Sequence, residues 1–132
     1  MRRETITGEL TTGLGEAAGF TALDWARAAF RDRLGIDAWP GTVNLAVRGA
    51  RDRAAWATVK SWPAIVLPPP RPDWCSSRCW RARIDGRIDA AIVLPEIESY
   101  PDDKIELIAA VAVRAALSLA DGDAVCIEVT AE

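Results

Sequence analysis

The chain has 132 residues, half of them apolar, with a formal charge of −3, a sequence pI of about 5.0 and no histidine. That length suits one domain with a sizeable core, so residues 1–132 are expected to form a single domain. The acidic balance argues against a general nucleic-acid surface, which is normally basic, and the longest apolar runs fall far short of a membrane span.

Positive charge is almost all arginine; Lys60 and Lys104 are the only lysines. Arginine's planar fork suits phosphate recognition. The cysteines are Cys75, Cys79 and Cys126. Their odd number and the lack of a secretory leader pattern lead to an expectation of reduced thiols in the cytoplasm. Cys75 and Cys79 form a C-x3-C pair, but a closed tetrahedral zinc site needs four ligands and there is no histidine to complete it.

Residues 4 to 11 are rich in β-branched side chains and alternate loosely, which predicts a strand. Glycines 13, 15 and 19 follow. They allow positive φ and let successive backbone N–H groups converge on an anion. The spacing is neither a dinucleotide fingerprint nor a Walker loop, and a simple flexible connection fits it as well. Thr21 is placed to cap a helix from about Ala22 to Leu34, with Leu23, Ala26, Phe30 and Leu34 at helical spacing and Gly35 as the stop.

Trp39-Pro40-Gly41-Thr42-Val43-Asn44-Leu45 comes next. Pro40-Gly41 is a turn signal, and Thr42 to Arg48 reads as a strand. Thr42 and Asn44 are two apart, so on a strand they share a face. Two neutral side-chain oxygens beside a glycine could hold a hydrated cation or a phosphate close to the backbone. A polar edge strand after a turn is the plain alternative.

Arg51 to Lys60 predicts a short helix and Ala64 to Leu67 a brief strand. Pro68 to Pro72 predicts an extended, polyproline-like crossing. Arg78 to Ile84 and Arg87 to Leu94 read as a hairpin joined at Asp85-Gly86. Residues 96 to 103 form an acidic loop around Tyr100. Between Lys104 and Ala120, alanine and leucine predict one helix on propensity; a strand over Ile105 to Ile108 followed by a shorter helix near Val111 to Leu117 is the other option. Asp121-Gly122-Asp123 is a turn, and Ala124 to Thr130 alternates as a last strand. The pattern as a whole is mainly β with helices: a small barrel decorated by two or three helices.

These pieces resemble, over about residues 5 to 130, the archaeal-type CTP-dependent riboflavin kinases. The resemblance is carried by Gly13-Leu14-Gly15-Glu16, Pro40-Gly41-Thr42-Val43-Asn44-Leu45, the hairpin over Ile84 to Pro95, Ile105-Glu106-Leu107-Ile108-Ala109, Arg114, and Leu119 to Val125. It implies a six-stranded cradle-loop β-barrel and CTP-dependent phosphorylation of riboflavin to FMN. It implies Mg²⁺ on Thr42 and Asn44. It implies nucleotide held by Gly13, Leu14, Gly15, Glu16, Ala17 and Ala18 and by Val111, Ala112, Val113 and Arg114. Flavin would lie near Glu98, Ser99 and Glu106, with Glu106 as the catalytic proton acceptor. No nucleic-acid or membrane partner is implied.

Two positions depart from the family pattern. Ala17 stands where the glycine loop usually has a third glycine. Glu98 stands, on an ungapped count from Pro95 to Glu106, where the family offers a threonine to the flavin; a shift of one residue puts Ser99 there. These departures keep two other expectations open: a barrel that binds nucleotide or flavin without turning it over, and a kinase for another small alcohol.

Overall fold

The computed structural model describes residues 1–12, 24–69 and 75–131. Its strands are β1 (Arg2–Thr11), β2 (Val43–Ala46), β3 (Ile65–Leu67), β4 (Ser77–Ile84), β5 (Ile88–Pro95), β6 (Lys104–Ala109) and β7 (Ala124–Ala131). The helices among the described residues are α1 (Asp24–Leu34), α2 (Ala50–Lys60) and α3 (Val113–Ala116).

Six strands close an antiparallel barrel in the order β4-β5-β6-β2-β1-β7, with β7 returning to β4. Closure removes the open edges that a six-stranded sheet would otherwise expose. One edge of β4 is shared. Its first residues pair with β3, from Ser77 opposite Leu67 to Cys79 opposite Ile65. Its last residues pair with β7, from Arg81 opposite Thr130 to Ile84 opposite Ile127. The short β3 is thus a seventh strand outside the ring.

Alternation sets inside and outside. On β1, Ile6, Gly8 and Leu10 are buried in the barrel while Thr5 and Thr7 face out. Leu45, Ile84, Ile92, Ile105, Leu107, Ile127 and Val129 join them. Gly8 is required by close approach: a Cβ there would lie 2.8 Å from Leu45 Cβ on β2. α2 adds Trp56 and Val59 to the same core, where Trp56 meets Trp80 of β4 edge to face at a 5.8 Å centroid distance. On the outer face, α1 packs Ala26, Phe30 and Leu34 onto Cys79, Ala91, Val93 and Ile108. Burial there pushes the Cys79 thiol up to about 12, which makes it an inert packing group.

The predicted strands and α1 and α2 form close to where the sequence puts them. The β4–β5 hairpin turns through Asp85 and Gly86, both at positive φ (53° and 66°), as a primed hairpin turn demands. The single helix that propensity suggests for Lys104 to Ala120 does not form. Residues 104–109 instead make β6, paired on one side with β2 and on the other with β5. Two sets of ladder hydrogen bonds and the burial of Ile105, Leu107 and Ile108 outweigh a helix preference of tenths of a kcal/mol per residue. The helix that remains, α3, is four residues long. Thr21, the glycine segment 13 to 18 and residues 70 to 74 of the proline-rich crossing lie outside the described residues.

Candidate functional site

Strand register assembles the site. Thr11 of β1 lies opposite Asn44 of β2, and Asn44 lies opposite Glu106 of β6. Directly opposed residues point to the same side of a sheet, so the three form a row across the outside of the barrel. Their in-sequence neighbours Leu10, Leu45, Ile105 and Leu107 face the core. The period of two that packs the barrel is therefore what brings an amide and a carboxylate together from strands 62 positions apart in sequence, residue 44 to residue 106.

Thr42 enters from the turn before β2, where Gly41 has φ 104°. Asn44 Nδ2 donates to Thr42 Oγ1 at 3.3 Å and to the Thr42 carbonyl at 3.2 Å. Thr42 Oγ1 donates to Glu106 Oε2 at 3.3 Å. Asn44 is buried, with 7% of its surface exposed. Its amide nitrogen is thereby anchored, and the side chain's acceptor oxygen is the end offered to a ligand. Thr42 and Asn44 thus share a face, as their spacing predicts.

Glu106 receives two further donors that the sequence reading did not pair with it. Tyr100 O–H donates to Oε1 at 2.9 Å. Lys104 Nζ donates to the same oxygen, also at 2.9 Å, and sits over the Tyr100 ring at 5.3 Å. Lys104 and Glu106 are two apart on β6, so they share a face. The Tyr100 hydroxyl is held well above its ordinary titration range, first by burial and then by the charge and hydrogen bond of Glu106. It therefore stays protonated as a donor. Oε1 is held by two strong donors, whereas among the described residues Oε2 takes the long bond from Thr42 alone.

Two of Glu106's bonding partners, Thr42 and Tyr100, each line a separate hollow. One, of about 170 Å³, is lined by Trp39, Thr42, Ala109, Val111, Ala112, Val113 and Arg114, among others. It joins the segment 111–114 to Thr42, two groups the sequence proposes for nucleotide and cation. The other, of about 590 Å³, is lined by Lys60, Arg78, Leu94, Ile97, Glu98 and Tyr100, among others. Glu98 and Ser99 are exposed in the turn after β5. Among the described contacts, the residue of that loop bonded to Glu106 is Tyr100.

Arg114 is fixed at the far side of the smaller hollow. Its Nη2 donates to Asp121 Oδ1 at 2.6 Å and to the Thr11 carbonyl at 3.1 Å. Trp39 is 55% exposed at the mouth of the same hollow. An exposed indole beside a turn is a signal that sequence could have offered for a ligand-facing position.

The donor set fits a hard divalent cation shared with phosphates. Mg²⁺ is commonly held by one or two protein oxygens plus substrate oxygens and water, and Thr42, Asn44 and Glu106 offer oxygen only. Among the described residues there is no cluster of three or more histidine, cysteine and acidic side chains that would form an all-protein metal cage, and no helix is long and apolar enough to cross a membrane.

Comparison with known proteins bears on the same residues. The profile of the CTP-dep_RFKase family, described as a domain of unknown function (DUF120), matches residues 10–129. The chain is 33% identical over 127 residues to a riboflavin kinase of Pyrobaculum arsenaticum, covering 94% of this chain and 60% of that protein. It is 37% identical over 130 residues to a riboflavin kinase of Methanocella arvoryzae, covering 96% and 56%. It is 32% identical over 131 residues to one of Archaeoglobus fulgidus, covering 94% and 54%. The chain thus spans between 54% and 60% of the length of these curated relatives.

Proposed function

We propose, because this chain belongs to the family of CTP-dependent riboflavin kinases, that it is the kinase domain itself, transferring the terminal phosphoryl group of CTP to the ribityl hydroxyl of riboflavin. FMN and CDP are the products, and the cytoplasm is where the reaction runs. The observation that carries this reading is the position of Glu106, in register with Asn44 and bonded both to Thr42 of the smaller hollow and to Tyr100 of the larger.

The smaller hollow suits the donor's phosphates, next to Arg114 and Thr42. The larger one, lined by Leu94, Ile97 and Glu98, suits the flavin, with Ser99 next to Glu98 in sequence. Gly13 to Ala18 would supply backbone N–H groups to the phosphates, as the family resemblance implies. Thr42 and Asn44 would hold Mg²⁺, which supplies charge neutralisation on the phosphate oxygens when bound.

The protein's own part is positioning and one proton. The ribityl oxygen attacks the terminal phosphorus. The bond from that phosphorus to the bridging oxygen breaks, and CDP leaves with the electron pair. The hydroxyl proton passes to Glu106. Oε2 is the oxygen for this task, because Oε1 is already fixed by Tyr100 and Lys104. Those two bonds set the carboxylate's angle before substrate arrives, as effective general-base geometry requires.

A binding module without turnover is the second reading. It is favoured by one fact: both oxygens of Glu106 already accept hydrogen bonds. FMN formation by the unaltered chain separates the two, and Asn44→Ala tests the site. Under the kinase reading it abolishes Mg²⁺-dependent FMN formation while the melting midpoint shifts by no more than a few degrees. FMN formation that persists at the unaltered rate removes Asn44 from the site.

A further inference from the structure

The acidic turn after α3 makes contacts that neither packing nor the chemistry at Glu106 explains. Its backbone is pinned to the end of β1: Gly122 N–H donates to the Leu10 carbonyl at 2.8 Å, and Leu10 N–H donates to the Asp123 carbonyl at 2.9 Å. Asp123 closes the turn on itself by accepting from Ala120 N–H at 2.8 Å. The Asp121 carboxylate is not needed for any of these bonds. It reaches outward instead, and each of its oxygens is used. Oδ1 accepts from Arg114 Nη2 at 2.6 Å, and Oδ2 accepts from the Thr12 hydroxyl.

Those two partners lie on different segments. Arg114 is on the wall of the smaller hollow. Thr12 is the last described residue before the glycine segment. Arg114 Nη2 also donates to the Thr11 carbonyl, so the bonds among Thr11, Thr12, Arg114 and Asp121 tie the exit of β1 to α3. We infer that Asp121 is a positioning residue for nucleotide binding, one carboxylate that sets the guanidinium of Arg114 and the root of the glycine segment at a fixed separation. This rests on the kinase reading for the identity of the nucleotide.

Arg114 makes its two bonds through a single nitrogen. Among the described residues both use Nη2, so Nε and Nη1 remain for phosphate oxygens, and the planar fork holds them in a fixed direction once one nitrogen is clamped. The Asp121 side chain is 55% exposed and that of Arg114 44%. An ion pair this exposed adds little to folding stability. Its effect is on orientation, the effect that outer-shell partners have on the groups they hold. The Thr12 hydrogen bond first, and Arg114 second, keep the Asp121 carboxyl below its ordinary titration range, so the clamp persists at neutral pH.

The test combines steady-state kinetics with calorimetric binding of CDP to the full chain. In Asp121→Ala the KM for CTP and the Kd for CDP rise about tenfold, as for loss of a partner that orients a ligand-binding group. The kcat and the KM for riboflavin stay within about threefold, since the acceptor side is untouched. Asp121→Asn is intermediate, because its amide still accepts one of the two bonds. In an Arg114→Ala background the effect of Asp121→Ala shrinks below about threefold, since the two act as a unit. Thr12→Val, which removes one bond and leaves the turn intact, raises the CDP Kd as well and decides the matter if Asp121→Ala folds poorly. Equal CDP affinities in the unaltered chain, Asp121→Ala and Thr12→Val overturn the role of Asp121. An unaltered chain that makes no FMN but binds CDP, with affinity lost in Asp121→Ala, overturns the kinase reading and keeps the positioning role.

Discussion

Under the proposed kinase reading, Glu106 is the residue on which the chemistry turns. Its carboxylate is only 17% exposed and takes three donors, an arrangement that fixes its direction at the cost of occupying it. As general base it should be worth about 10²- to 10⁴-fold. Glu106→Gln is expected to lower kcat by that range while CDP affinity changes by less than about threefold; a fall in kcat of under tenfold would mean that the residue only orients the hydroxyl. Tyr100 has its own signature. Its proton is bound more tightly in the folded chain than in the unfolded one, so folding stability is level below about pH 10 and falls as the pH rises beyond it. In Tyr100→Phe that alkaline fall is reduced, which urea titrations at pH 9 and 11 would detect. That Thr42 and Asn44 share a face was legible from their spacing, whereas Glu106 entered the candidate site through the family resemblance. Tyr100 was not legible as a partner of Glu106. Its approach depends on how residues 96 to 103 fold back against β6, and no local pattern encodes that path.

The barrel strands are organised by side-chain alternation and by one close backbone approach. Gly8 lets β1 and β2 come together under the row that holds Asn44. Gly8→Ala places a methyl group 2.8 Å from Leu45 Cβ, in a core with no slack, and is expected to destabilise the fold by about 1–3 kcal/mol. The readout is a lower midpoint of urea denaturation with an unchanged slope. A midpoint identical to that of the unaltered chain would show that the strands part without penalty. Most elements were readable because apolar and polar residues alternate cleanly and the Asp85-Gly86 turn is explicit. Residues 104–109 were ambiguous for a physical reason. The alanine and leucine of the whole stretch 104–120 favour a helix locally, while the partners that make 104–109 a strand lie on β2 and β5. Propensity sees the first and not the second.

The whole molecule is a closed ring, and the proposed site lies on its outer wall rather than in its lumen. The interior is filled by large side chains, Trp56, Trp80, Leu107 and Ile127 among them. Closure by β7 onto half of an edge that β3 also uses could not be read from the chain, because it depends on how two distant strands divide one partner. The functional face follows from closure all the same: strands β1, β2 and β6 are adjacent only in the ring, and their adjacency aligns Thr11, Asn44 and Glu106. The measurement that tests this account most directly is FMN formation by the purified chain with riboflavin and Mg²⁺, comparing CTP with ATP and resolving the flavins chromatographically. The account predicts FMN in proportion to CDP released, with CTP the better donor and Asn44→Ala inactive. No FMN with either nucleotide from a folded, CDP-binding chain would contradict it.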